Sequence, residues 1–147
     1  MKILAIETAT EACSAALLVD NEIIDRFEVA PQKHGDLILT MVDELMNEAG
    51  VKLPQLDALA FGRGPGSFTG VRMATGVIQG LAFAVDLPVA PVSTLTALAH
   101  QTIDESEGRT VYAALDANSL HVKVFSTLVV FSSLKDQFSL VECQILS

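Results

Sequence analysis

At Pro31 the hydrophobic rhythm of the chain changes, and that change limits the fold class more than any other feature. Before it, apolar residues come in runs of strand length, at residues 2–6, 13–19 and 23–30. A polar stretch, TATEA at 8–12, and the pair Asp20-Asn21 separate them. Three short runs divided by turn residues predict an antiparallel meander. After Pro31, Leu37, Ile38, Met41, Val42, Leu45, Met46 and Ala49 recur at helical spacing over residues 34–49. Asp36, Asp43, Glu44 and Glu48 take the other faces, read as solvated, and Gly50 is a helix stop. Strand 56–61, helix 68–85 and strand 89–92 follow. A third helix capped by Ser93 or Thr94 runs to about Gln101, then an acidic loop at 104–108 and a strand at 111–115. The order β-β-β-α-β-α-β-α is mixed α/β, one mixed sheet covered by helices. Beyond Ala117 only 122–125 and 128–131 offer strand-like runs.

At 147 residues the chain suits one domain, large enough to bury roughly 70% of its unfolded surface. A mean hydropathy of +0.45 argues against disorder and for surface that a partner covers. A net charge of −9 makes the chain a poor grip for nucleic acid on its own. Cys13 and Cys143 stand far apart without metal-ligand spacing, which reads as unpaired thiols in a reducing cytoplasm. The N-terminal apolar run is broken at Glu7, too early for a signal peptide. No uninterrupted apolar run approaches the roughly 18 residues of a membrane span, so a cytoplasmic chain without a membrane is expected.

The segment GRGPGSFTGVR at 62–72 carries the strongest local signal. A phosphate-binding P-loop needs a Lys after its last glycine, and none is here. GxGxxG fails at Thr69, where the last glycine would stand. The plain reading is a tight turn in which Gly62, Gly64 and Gly66 permit positive φ and Ser67 caps the next helix. A helix N-terminus there could still attract an anion. That helix is unusually small: Gly70, Ala74, Thr75, Gly76, Gly80, Ala82 and Ala84, with Gly76 and Gly80 as a GxxxG pair. Each interior glycine costs about 1 kcal/mol against alanine. Close approach of another backbone offsets that cost, from the chain's own sheet or from a helix of a second chain.

Glu7, Thr8 and Thr10 sit in the first turn, where an acidic–Thr–x–Thr hairpin can wrap a phosphate or be an ordinary turn. His34, His100 and His121 are scattered, and Ile38 and Asp104 stand at the i+4 positions a helical metal pair would need. Ser67 lies in no GxSxG elbow. No catalytic or metal-binding set is readable.

The stretches ILAIETATEACSAAL, HGDLILTMVDELM, ALAFGRGPGSFTGVRMATGVIQGLA and PVSTLTALA together resemble the bacterial tRNA threonylcarbamoyladenosine biosynthesis family TsaB, also called YeaZ. The likeness runs from residue 1 to about 117. It implies an actin-like, Hsp70-like ATPase lobe of the ribonuclease H-like class, with a mixed five-stranded sheet and flanking helices. By this resemblance 1–116 is the first lobe, and 117–147 is a truncated or divergent start of a second. Family members are longer, and after AALDA they continue with Arg and an EVY-like strand, where this chain has NSLHVKVFS. The tail is a divergent lobe start, a frameshifted reading or a truncated product.

The resemblance further implies a non-catalytic scaffold subunit. It would heterodimerise with the catalytic paralogue TsaD and act with the ATPase TsaE. Their product is N6-threonylcarbamoyladenosine at position 37 of tRNAs that read ANN codons. ATP and metal belong to the catalytic partner and none to this chain alone. Its tRNA contact comes mainly through partners, and without them it self-associates. Carried over to this sequence, the partner surface uses the helices 34–49 and 68–85, at His34, Ile38, Met41, Leu45, Phe68, Arg72, Ala74, Thr75, Gly76 and Gln79. Glu7, Thr8 and Thr10 correspond to a vestigial phosphate loop, with Glu where active members have Asp. The alternative is an independent enzyme of the same fold, a nucleotide phosphotransferase or a metal-dependent glycoprotease.

Overall fold

A computed structural model of the chain describes residues 1–100, 110–114 and 126–130. Strands β1 (Lys2–Glu7), β2 (Ala12–Val19) and β3 (Glu22–Val29) form the antiparallel meander. The β2–β3 loop is only Asp20-Asn21, with φ of 49° and 81°. Positive φ at both loop residues matches the right-handed twist of the strands, and Asp and Asn tolerate it best after glycine. Helix α1 (His34–Glu48) ends at Gly50, whose φ is 64°. A short 3₁₀ turn at Leu53–Gln55, which the periodicity does not reveal, leads into β4 (Ala58–Gly62). Helix α2 (Phe68–Val85) and β5 (Val89–Val92) follow at the bounds expected from sequence.

These strands make one five-stranded sheet in the order β3-β2-β1-β4-β5. β4 runs parallel to β1, with Ile3 opposite Ala58 and Ile6 opposite Phe61, and β5 runs parallel to β4. Strand alternation sends Leu4, Ile6, Cys13, Ala15, Leu17 and Leu59 into a single core. Ile38, Met41, Val42 and Leu45 of α1 and Ala74 and Ile78 of α2 meet them there. α1 and α2 cover the same sheet face because right-handed crossovers advance the chain in one direction across it.

The acidic side of α1 is not simply solvated. Arg26 on edge strand β3 reaches Glu44 through Nε at 3.3 Å and Glu48 through its guanidinium. Replacing Arg26 with Ala is expected to lower the urea midpoint slightly, and high salt should shrink the difference from wild type. Exposed ion pairs are screened in this way, so a difference untouched by salt contradicts the assignment.

By length and composition α2 reaches the minimum for a membrane span, with a mean hydropathy of 1.3. Its buried residues are Gly70, Ala74 and Ile78, and the rest of the helix is half-buried or exposed.

The chain divides into two compact units, Met1–Val92 and Ser93–Ser147. In the second, α3 (Thr94–His100) carries buried Leu95 and Ala99. Strands β6 (Thr110–Ala114) and β7 (Ser126–Val130) pair antiparallel, Thr110 opposite Val130. The expected strand at 122–125, the acidic loop at 104–108, most of the 117–147 extension, His121 and Cys143 lie outside the described residues.

Candidate functional site

Two loops meet at the carboxyl ends of β1 and β4: the β1–β2 hairpin, residues 8–11, and the glycine segment before α2. Ser67 N–H donates to the Ala9 carbonyl at 2.6 Å, and the buried Thr8 hydroxyl donates to the Gly70 carbonyl at 2.7 Å. The Ser67 hydroxyl caps α2 by accepting from Gly70 N–H at 3.3 Å, as its position in the sequence predicts.

The glycines do different work from that expected of them. Only Gly64 has positive φ, at 87°; Gly62 and Gly66 do not. Their requirement is space. A Cβ built at Gly62 would land on the Glu7 carboxylate, and one at Gly66 on the Ala9 backbone. Gly70, in the first turn of α2, likewise faces the Thr8 carbonyl. Sequence shows three glycines in a turn, but not that two of them admit a neighbouring hairpin.

The hairpin residues are brought together, each with a protein partner. Glu7 Oε1 accepts from Ala9 N–H at 2.6 Å, and Thr10 Oγ1 accepts from Ala12 N–H at 3.3 Å. His34, at the start of α1, places Nε2 at 2.9 Å from the Thr10 carbonyl, so this ring nitrogen serves as a donor that ties the hairpin to the helix. Among the described residues no three His, Cys, Asp or Glu side chains cluster as a metal site would require.

Burial separates the partner-surface residues into two sets. His34, Ile38, Met41, Leu45 and Ala74 are buried, and all but His34 belong to the chain's own core. The expectation that they face a partner is corrected on that ground: the wide apolar stripe of α1 is spent on the sheet. Phe68, Arg72, Gly76 and Gln79 are exposed, and Thr75 is half-buried. They follow one another at three- and four-residue steps and so lie along one side of α2. The Arg72 guanidinium stacks 3.8 Å over the Phe68 ring. Among the described residues nothing lies within 4 Å of where a Cβ would stand on Gly76 or Gly80. Packing against the chain's own sheet therefore does not account for the GxxxG pair. Phe83, 93% exposed, extends the same surface, and Leu39 adds an exposed apolar group on α1. Helical spacing from Phe68 would have found Phe83 in the sequence.

Cys13 is buried, with its thiol 3.9 Å from the His34 carbonyl. Burial, and secondarily the Glu28 carboxylate opposite it on β3, push its pKa above the usual 9.0. A proton then leaves the unfolded thiol first. Stability is held below pH 9.0 and falls as pH climbs through the folded value. Cys13→Ala should flatten that alkaline limb in urea midpoints measured across the range. An unchanged limb contradicts the assignment.

Comparison with known proteins bears on this geometry. The family described as TsaD, tRNA N6-adenosine threonylcarbamoyltransferase, matches residues 20–138. The tRNA threonylcarbamoyladenosine biosynthesis protein TsaB of Haemophilus influenzae is 50% identical over 129 residues, which cover 88% of this chain and 54% of that protein. The Escherichia coli protein of the same name is 48% identical over 117 residues, 80% of this chain and 51% of that one. The chain thus spans about half the length of these curated relatives. Among solved structures, YeaZ from Pseudomonas aeruginosa superposes with a TM-score of 0.86 at 42% identity, covering 99% of this chain and 67% of that one.

Proposed function

Because the chain belongs to the TsaB (YeaZ) family of tRNA threonylcarbamoyladenosine biosynthesis proteins, within the wider TsaD family, we propose that it is a non-catalytic scaffold subunit of that tRNA modification. Its first unit is a ribonuclease H-like lobe of the actin and Hsp70 ATPase type. In this reading it works in the cytoplasm by pairing with the catalytic paralogue TsaD, the ATPase TsaE joining them. The paralogue supplies the metal and nucleotide chemistry, and partners supply most of the contact with tRNA.

The observation that carries the reading is the exposed side of α2. Phe68, Arg72, Gly76, Gln79, Gly80 and Phe83 leave aromatic and small residues uncovered on a regular helix. Glycines with open space above them let a second helix approach closely, and the flanking aromatics supply buried area. The same surface would serve self-association when the paralogue is absent.

Mixing the purified chain with the paralogue from the same organism tests this. Wild type should co-elute as a complex by size-exclusion chromatography with light scattering. Phe83→Asp, at a side chain 93% exposed, should weaken the complex at least about tenfold, the scale of an interface hot spot. Unchanged binding by the variant removes α2 from the interface. Failure of wild type to associate overturns the scaffold role. A stoichiometric metal or ATP turnover in the chain alone would instead favour an independent enzyme.

A further inference from the structure

The two outer strands of the five-stranded sheet, β3 and β5, differ in what their free edges offer. An outer strand carries a row of amides and carbonyls able to pair with another strand. On β5 the Pro88 and Val92 carbonyls bond β4, so Val89 and Pro91 face outward. Pro91 has no N–H to give, and that edge is broken permanently. β3 has no such break. Its eight residues, EIIDRFEV, contain no proline and pair with β2 one for one, without a bulge. Ala30 N–H bonds the Glu11 carbonyl, one step beyond the pair Ala12 and Val29, so the even-numbered residues of β3 turn their backbone groups to β2. By alternation Ile23, Asp25, Phe27 and Val29 turn theirs outward. The side chains of Ile23, Phe27 and Val29 are 68%, 66% and 62% exposed, which adds apolar surface to the free edge. One outward acceptor is already taken. The Arg26 guanidinium donates to the Asp25 carbonyl through Nη1 at 2.9 Å, and Glu44 and Glu48 of α1 hold the same group. Arg26 therefore lies across the middle of the edge, anchored by two exposed carboxylates whose hold is weak and reversible.

We propose that β3 is a pairing edge for a second copy of this chain, and that Arg26 is the latch that keeps it shut. The strand is complementary to itself. Antiparallel pairing that sets Phe27 opposite Phe27 of the second copy joins outward backbone groups at Phe27 and between Asp25 and Val29. On the α1 side it sets Arg26 opposite Glu28 of the second copy, twice over by symmetry. That pair falls at the non-hydrogen-bonded position, where facing side chains come closest and opposite charges attract. Centring the pairing on Asp25 or on Arg26 instead sets like charges face to face, which selects the Phe27 register. Opening the latch frees the Asp25 carbonyl for Val29 N–H of the second copy. It also hands the guanidinium from Glu44 and Glu48 to the facing Glu28. This edge and the exposed side of α2 belong to different elements, so the two readings fail separately.

The test is sedimentation velocity over a concentration series, with every chain carrying Phe83→Asp so that association through α2 does not contribute. Glu44→Gln together with Glu48→Gln removes the anchors and leaves Arg26 and Glu28 in place. This released chain should dimerise at about tenfold lower concentration than the chain with both anchors, the equivalent of two exposed ion pairs. Glu11→Gln together with Asp43→Asn removes the same charge elsewhere on the surface and should leave association at the level of the anchored chain. Adding Phe27→Pro to the released chain deletes an outward N–H without touching the bonds to β2, and it should restore the monomer. Should the proline chain not fold, Phe27→Lys makes the same test by setting like charges on the symmetry axis. A released chain that associates no better than the anchored one overturns the proposal. So does equal association by the charge-matched control, or a dimer that survives Phe27→Lys.

Discussion

Ala74→Glu is expected to unfold the chain, whereas Gly76→Glu, two residues along the same helix, is expected to leave it folded and, under the proposed pairing, to prevent association with the paralogue. Ala74 is fully buried in the core among the α1 and sheet side chains. The described core residues around that position are apolar, and burying a carboxylate uncompensated among them costs several kcal/mol. The total stability of a domain is only about 5–15 kcal/mol, so the loss is decisive. Gly76 faces open space, and its replacement also removes a glycine penalty of about 1 kcal/mol in the helix. Far-UV circular dichroism with urea titration reads the first effect, and light scattering with the paralogue reads the second. A folded Ala74→Glu chain would mean that α2 does not pack on the sheet as described.

Alanine at Gly70 and at Gly80 should change stability in opposite directions. At Gly70 the new methyl meets the Thr8 carbonyl and the Ala9 backbone, and neither can rotate away as a side chain would. Overpacking of this kind costs typically about 1–3 kcal/mol. The Thr8 hydrogen bond to the Gly70 carbonyl adds about 1 kcal/mol when it is broken. The gain in helix propensity, about 1 kcal/mol, offsets only part of this. Net destabilisation of about 1–3 kcal/mol follows, read as a lower urea midpoint. Gly80→Ala meets none of the described residues and should raise the midpoint by the equivalent of roughly 0.5–1 kcal/mol. Equal shifts at the two positions would deny the loop contact at the head of α2.

What the sequence reveals here follows from the range of each signal. Period and punctuation act locally, so the meander, α1, α2 and β5 are legible from residues such as Leu37, Ile38, Met41 and Pro88. The Ser67 cap is legible for the same reason. The contact between hairpin and glycine segment joins residues 62 apart, as in the Thr8 bond to Gly70, and no local pattern encodes it. For that reason Gly62 and Gly66 read as turn formers when they are spacers. Apolar stripes carry a second ambiguity. They mark what leaves water but not what receives it, so Ile38 and Leu45 suit a partner and a core equally well until the sheet is placed. Arg26 illustrates the same limit for charge, since its partners Glu44 and Glu48 belong to a different element.

The strand order also bears on the course of folding. β1 pairs on one side with β2, its neighbour in the chain, and on the other with β4, whose Ala58 faces Ile3 across more than fifty intervening residues. Joining β1 to β2 closes a short loop, while joining β1 to β4 must first confine the whole of β2, β3 and α1. The meander can therefore condense early, with little chain entropy lost. The parallel half must wait until α1 has packed and brought β4 to the exposed edge of β1. During that interval the unpaired edge of β1 is the most vulnerable surface of the molecule, and the time for which it stays open is set by how quickly α1 docks.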